Sequence, residues 1–325
     1  MCLLNDDVGG PRMRAVVYDR YGLPSVLRLA EIPVPVPGTG QVLIKIAATS
    51  INLSDWECLR GKPAYGRWGG LRSVLGSDIA GHVHAIGAGV TRFRPGDEVY
   101  GDNLQLKGGF AEYAVAPESV LAHKPPELTF VEASTIPQAG AIALQGTAAA
   151  MPGCRMLING GGGGSGSFAI QLAKRRGAHV TAVDNASKLD HMRRCGADEV
   201  IDYQRQDFTR EEPYDLILDL VAHRSVFAYR RALTDGGRYR CVGGTTRALI
   251  RLATAGRVVG WISGRDLGFL LVNQGPAQFT PLTDLCITGD IRLHTDRTFT
   301  LAETPDALAY IGEGRALGKV VVEAR

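Results

Sequence analysis

The sequence predicts an α/β protein in two parts: a β-rich antiparallel domain, and a doubly wound domain on six parallel strands. Three observations predict it. Residues 13–126 hold short apolar runs cut by glycine turns, the texture of antiparallel strands. From residue 155 strand-like and helix-like segments alternate, which implies a parallel sheet covered on both faces. Between the first strand and first helix of that alternation lie five consecutive glycines, 160–164.

The elements follow in order. Residues 14–18 read as a strand, and 41–49 alternate with Val42, Ile44, Ile46 and Ala48 on one face. Further strands are predicted at 79–86, 98–100 and 110–115, with one short helix near 54–60. After Lys124-Pro125-Pro126 the texture changes, and helices are predicted over 129–134 and 138–150. Strands at 155–159, 179–184, 199–201, 214–219, 238–242 and near 268–272 supply the six parallel members. Helices at 167–176, 187–195 and 224–233 connect them. The tail from 276 adds a helix, a strand near 298–301, a helix at 305–312 and a last strand at 319–323.

Composition excludes several classes. Hydrophobic residues at 45% and charged residues at 21% belong to a globular chain, not a disordered one. A net charge of +3 and only 7% aromatics argue against a nucleic-acid or anionic-membrane partner. The uncharged stretches 133–154 and 156–173 are broken by proline and glycine, so they read as buried core and not as spans. The six cysteines form no Cys-x-x-Cys pair, which fits unpaired thiols in a reducing, cytoplasmic setting. The first ten residues lack the pattern of a signal peptide, and Met13, where the first strand pattern begins, is a second candidate start beside Met1.

Residues 155–174 carry the chemistry. A buried strand enters a glycine loop and leaves as a helix, and Gly161-x-Gly163-x-x-Gly166 has dinucleotide-binding spacing. The first glycine is expected to make the turn, the second to admit a pyrophosphate, and the third to pack helix on strand. Free N–H groups at the helix start attract the phosphates. Asp184 ends the next strand, where an acid binds the adenosine ribose hydroxyls. A carboxylate there repels a 2′-phosphate, so the sequence favours NADH over NADPH, with Lys188 softening the choice.

In order, these segments resemble the zinc-independent, quinone-oxidoreductase-like branch of the medium-chain dehydrogenase/reductases. The residues that carry the resemblance are Ile51-Asn52-Leu53-Ser54-Asp55 with Arg60-Gly61, Gly76-Ser77-Asp78-Ile79-Ala80-Gly81, and Arg94-Pro95-Gly96-Asp97-Glu98-Val99. Gly108-Gly109-Phe110-Ala111-Glu112-Tyr113, the stretch from Gly196 to Tyr203, and Gly318-Lys319-Val320 continue it. The resemblance implies a GroES-like catalytic domain at 13–127 and 276–325 around a Rossmann domain at 128–275. It implies hydride transfer from NAD(P)H to an enone, quinone or aldehyde in the inter-domain cleft, and a homodimer. It speaks against zinc, because Asn52 stands where related alcohol dehydrogenases place a cysteine, and Ser77-Asp78 where they place His-Glu. His82 and His84 share a strand face and read as a structural pair.

The expected cofactor residues are Gly161, Gly163, Gly164, Ser165, Gly166, Asp184, Lys188, Tyr203, Gly243 and Gly244. The expected catalytic residues are Asn52, a hydrogen-bond donor to a developing oxyanion; Asp55, holding the loop or relaying a proton; and Tyr65, a proton donor or pocket wall. His223 lies near the switch-point crevice, Ile142 stands where the branch often has a threonine, and the loop 61–71, with Tyr65 and Trp68, is expected to shape the substrate pocket. Two other readings stay open: a zinc-free alcohol or aldehyde dehydrogenase, and a nucleotide-binding regulatory protein with little turnover.

Overall fold

The computed structural model describes residues 10–67, 70–71 and 73–324, apart from the side chains of residues 65 and 257; Met1, Cys2 and Trp68 lie outside them. The chain opens with an antiparallel ribbon of β1 (Arg12–Val17) and β2 (Arg28–Pro33). Then come β3 (Gln41–Ser50), α1 (Leu53–Arg60), β4 (Asp78–Ile86), β5 (Glu98–Asp102), β6 (Tyr113–Pro117) and β7 (Leu121–His123). The short α2 (Phe130–Ser134) and α3 (Pro137–Gly146) lead into the second sheet.

That sheet is built from β8 (Arg155–Asn159), β9 (His179–Asp184), β10 (Glu199–Asp202), β11 (Tyr214–Asp219), β12 (Leu233–Cys241) and β13 (Asp266–Phe269). All its pairings are parallel and the order is β10-β9-β8-β11-β12-β13. The connecting helices are α4 (Gly164–Arg175), α5 (Leu189–Arg194), α6 (Val226–Arg231), α7 (Thr246–Arg251) and α8 (Arg257–Ser263). The order reverses between β8 and β11, so a crevice opens beyond their carboxyl ends. Met156, Leu157 and Ile158 are completely buried, which is why β8 reads as an unbroken apolar run.

The tail returns to the first sheet. After α9 (Thr280–Ile287), β14 (Thr295–Thr300) pairs in parallel with β15 (Lys319–Glu323), across α10 (Thr304–Gly312), and β15 pairs antiparallel with β3. The sheet order is β14-β15-β3-β4-β5-β7, with β6 also on β3. Helix α9 joins the core of the parallel-sheet side: Leu282 packs beside Gly140, and the Tyr100 and Thr283 hydroxyls share a 2.8 Å hydrogen bond. The two sheets therefore meet across a packed seam.

Some expected elements shift. The strand expected at 110–115 lies at Tyr113–Pro117, because Phe110 and Ala111 bond to Leu75 and β1 before the ladder starts. The strand expected near 268–272 lies at Asp266–Phe269. The sequence reading missed β2, whose burial is too shallow to leave a strong pattern, and it missed α7 and α8. In the α7–α8 segment the buried residues Ala248, Leu252, Gly256 and Gly260 recur every four positions, and a π-turn at 252–256 keeps them on one face. No described helix is long and apolar enough to cross a membrane.

Candidate active site

The glycine loop joins β8 to α4. Gly160 takes the left-handed conformation, φ 86°, and makes the turn. Gly161, expected to do so, instead packs against Met192 and Ala182, where a Cβ would be crowded. A Cβ at Gly163 would meet only Gly160 O, at 3.6 Å, so this position is bare toward the cleft. A Cβ at Gly166 would collide with the backbone of Gly160 and Gly161. Gly163 caps α4 with no side-chain hydrogen bond, and with the Gly164 N–H turned toward Gly318 in the Gly163–Gly318 bridge, the first-turn N–H groups of Ser165 and Gly166 are left for an anion. A bare cradle beside free helix-start donors fits a dinucleotide pyrophosphate.

Asp184 ends β9 beside this loop. Its Oδ2 accepts the Gly162 N–H at 3.0 Å, and its Oδ1 accepts the Asn185 N–H at 2.9 Å. Lys188 Nζ stands 3.5 Å from Oδ1, and both side chains are largely buried. The stem of Lys188 lies over Gly162, where a Cβ would be 2.6 Å from its Cδ. The carboxylate is thus held at the loop with its charge partly offset by one lysine.

The other end of the cleft is formed at the start of α1. Asn52 caps this helix, and its backbone N–H donates to Asp55 Oδ2 at 3.0 Å. Asp55 Oδ1 accepts from Gly76 N–H and from Lys107 Nζ, at 3.2 and 3.1 Å. The Asn52 side chain donates from Nδ2 to Ser77 Oγ at 3.2 Å and accepts at Oδ1 from Lys319 Nζ at 2.7 Å. Lys319 Nζ also reaches Asp78 Oδ2 at 3.3 Å and Ile51 O at 3.4 Å. Asp78 is completely buried and accepts at Oδ1 from the Gln138 N–H.

Behind this cluster, burial and then the Asp78 charge push the Asp102 carboxyl up to about 7. Its Oδ1 is buried without a hydrogen-bond partner among the described residues. A carboxyl raised in the folded state stabilises the fold below its unfolded pKa near 4, and that contribution is lost as pH rises toward 7. Asp102→Asn cannot ionise. Its stability relative to the wild type is therefore expected to improve between pH 5.5 and pH 8.5, read as urea midpoints at both pH values. An unchanged difference between the two proteins would show that Asp102 is ionised throughout.

A cavity of about 610 Å³ runs from the glycine loop to Asn52. It brings together Asn52, Gly163, Gly164, Ser165, Gly166, Asp184, Lys188, Tyr203 and Gly243, with Ile142 and His223 in its wall. Gly161 lies behind the loop, Gly244 faces an adjoining cleft with Lys62 and Pro63, and Asp55 is fully buried outside the cavity wall. Tyr65 falls in the turn Ala64–Arg67, but its side chain is outside those described. The crevice wall is set by Asp219, which accepts from Asn159 Nδ2, the Val221 and Ala222 N–H groups, and the Tyr239 hydroxyl. His223 follows this anchored turn, and burial, then the Arg224 charge, holds its pKa below the usual histidine value. His82 and His84 are exposed and lie edge-on to Phe130 and Tyr113.

Known proteins match this chain in sequence and fold. The family model described as alcohol dehydrogenase GroES-like domain matches residues 38–126, and the one described as zinc-binding dehydrogenase matches residues 195–322. The chain is 32% identical to the chloroplastic quinone oxidoreductase QR1 of Triphysaria versicolor, over 97% of this chain and 100% of that protein. The chain belongs to the quinone-oxidoreductase-like branch of the medium-chain dehydrogenase/reductases. A second relative in the superfamily is the 2-methylene-furan-3-one reductase of Solanum lycopersicum, 31% identical over 95% of this chain and 79% of that protein. The solved quinone oxidoreductase from Coxiella burnetii superposes with a TM-score of 0.88 at 30% identity, covering 97% of this chain and 100% of that one. As a member of this branch the chain is an NAD(P)H-dependent oxidoreductase with a GroES-like and a Rossmann fold.

In this branch member, sequence reasoning missed Lys319 and Gln138 as cleft residues. Lys319 was visible only as part of the closing Gly318-Lys319-Val320, with nothing to link it to Asn52. Gln138 lies in an uncharged helix and carries no local signal.

Proposed function

We propose that the chain reduces a quinone or enone with hydride from NADH, which it takes in preference to NADPH. The observation that carries this reading is the single cavity joining the bare glycine cradle, Asp184 and the Asn52 amide, with Ile51, Ile142 and Val242 as apolar wall. The cofactor supplies the hydride. The N–H groups of Ser165 and Gly166 hold the pyrophosphate beside Gly163 and Gly164. Asp184 receives the adenosine ribose hydroxyls, with Lys188 and Tyr203 around it, and Gly243 leaves room at the far end, whereas Gly244 packs against Ala222. Asn52 Nδ2 donates a hydrogen bond to the oxygen that gains charge in the acceptor. Asp55 holds Asn52 in place, and the apolar walls exclude water.

NADH and NADPH oxidation with 1,2-naphthoquinone and with an alkenal test the reading. Turnover with either acceptor is expected. Alcohol-dependent NAD⁺ reduction without acceptor turnover would replace it with the dehydrogenase reading, and cofactor binding without turnover of any kind would favour the regulatory one.

We also propose that catalysis needs no zinc. The donor set supports this: an amide and a hydroxyl are weak ligands, and Lys319 already places a cation 2.7 Å from Asn52 Oδ1 and 3.3 Å from Asp78 Oδ2. Elemental analysis is expected to find less than stoichiometric zinc and unchanged activity after chelation. One tightly held zinc per chain would overturn the proposal.

The free thiols of Cys154, Cys195, Cys241 and Cys286 support a reducing compartment such as the cytoplasm. The edge position of β13, followed by Leu271 at 84% exposure, supports a homodimer. Light scattering that gives the mass of one chain would refute the dimer.

A further inference from the structure

Lys319 spans the cleft from the cofactor side to the acceptor side. Its backbone is tied to the glycine loop: the Gly318 N–H donates to Gly162 O at 2.9 Å, and Gly163 and Gly318 form a parallel bridge. Its stem crosses Gly164, where any Cβ would collide with it. Its side chain is 4% exposed, and the ammonium ends among Asn52 Oδ1, Asp78 Oδ2 and Ile51 O.

We propose that Lys319 is a positioning residue for the reduction, acting through the Asn52 amide. The proposal rests on the reductase reading above. An ammonium carries only donors, so the atom of Asn52 that faces it must be the oxygen. That choice turns Nδ2 away from Lys319. One Nδ2 hydrogen goes to Ser77 Oγ, and Asn52 lines the cavity. With the amide reversed, Asn52 would present a carbonyl oxygen to an acceptor oxygen gaining negative charge, which is repulsive. The cation also polarises the amide it touches, so the Nδ2 hydrogens become stronger donors. The loop contacts of Gly318 and the Lys319 stem place this charge relative to the site that holds the cofactor. Lys319 thereby supplies, through an amide, a positive field at the acceptor.

The test compares wild type, Lys319→Met and Asn52→Ala, alone and combined, with an alkenal and with a quinone of high reduction potential. Methionine keeps most of the stem over Gly164 and removes the charge. The alkenal depends on stabilisation of the developing oxyanion, whereas the quinone depends on it less. In Lys319→Met, kcat for the alkenal is expected to fall about 100-fold. The fall with the quinone should be less than about tenfold, and the KM for NADH should move less than about threefold. In the Asn52→Ala background, Lys319→Met should cost little more. Equal losses with both acceptors, or losses that multiply in the double variant, would assign Lys319 a merely structural role. Lys319→Met strands the Asp78 charge, so Lys319→Met with Asp78→Asn is the second variant, in which the same substrate split is expected. If the wild type reduces neither acceptor, the reductase reading falls, and this inference with it. If the wild type reduces both and the split is absent, only this inference falls.

Discussion

Gly163→Val is expected to give a folded protein that no longer binds NADH or NADPH. The backbone at Gly163 is extended, with φ −87° and ψ −179°, a conformation that valine adopts without strain. A Cβ there meets only Gly160 O, at 3.6 Å, so the first added atom disturbs nothing in the protein. The two methyl groups would project toward the cavity that Gly163 lines, beside the first-turn N–H groups of α4. The loss of two charge-assisted hydrogen bonds to a phosphate, at roughly 1.5–3 kcal/mol each, corresponds to a fall in affinity of about 100-fold or more. Fluorescence titration reads the affinity, and circular dichroism reads the fold. Gly166→Val is the matching control: its Cβ would collide with the backbone of Gly160 and Gly161, so that variant should lose stability rather than affinity alone. Normal NADH affinity in Gly163→Val would show that the loop only turns the chain.

Asp184→Ser is expected to move the cofactor preference from NADH toward NADPH. The wild-type carboxylate lines the cavity, fixed by the Gly162 and Asn185 N–H groups. With NADPH, a ribose hydroxyl that could donate to it is replaced by a phosphate of about −2 charge. One charge-assisted hydrogen bond is worth roughly 1.5–3 kcal/mol, so the wild type should favour NADH by about ten- to hundredfold in kcat/KM. Lys188, 3.5 Å from Asp184 Oδ1, offsets part of the repulsion in the wild type. In the variant the lysine loses its carboxylate partner and faces the 2′-phosphate. The readout is kcat/KM for both cofactors with one quinone. A wild type that already prefers NADPH tenfold would mean that the Gly162 and Lys188 contacts consume the carboxylate. A ratio that stays still in the variant would move the preference to the turn after Asp184.

The amino-acid sequence by itself determined the fold class, the parallel six-strand domain and the glycine loop between β8 and α4. Each rests on neighbours in the chain. Buried parallel strands leave unbroken apolar runs, such as Met156, Leu157 and Ile158, and helices leave a different period between them. The glycine loop needs its residues at fixed short spacings, because a turn, a bare approach and a tight helix–strand contact occur within seven positions of one another. Even there the turn itself fell on Gly160, one residue before the motif's first glycine, since a left-handed φ is a matter of local geometry that the spacing does not report. Only the tertiary structure decided the acceptor end. Asn52 and Lys319 are separated by 267 positions, and Asp55 and Lys107 by 52, and no periodicity links them. Asn52 and Lys319 meet because β15 returns to pair with β3, whose end leads straight into Asn52, and because the buried ammonium must find acceptors once water is excluded. That constraint turned Asn52 toward Lys319, drew Asp55 into the support behind it, and left the cavity wall to residues the chain order keeps apart.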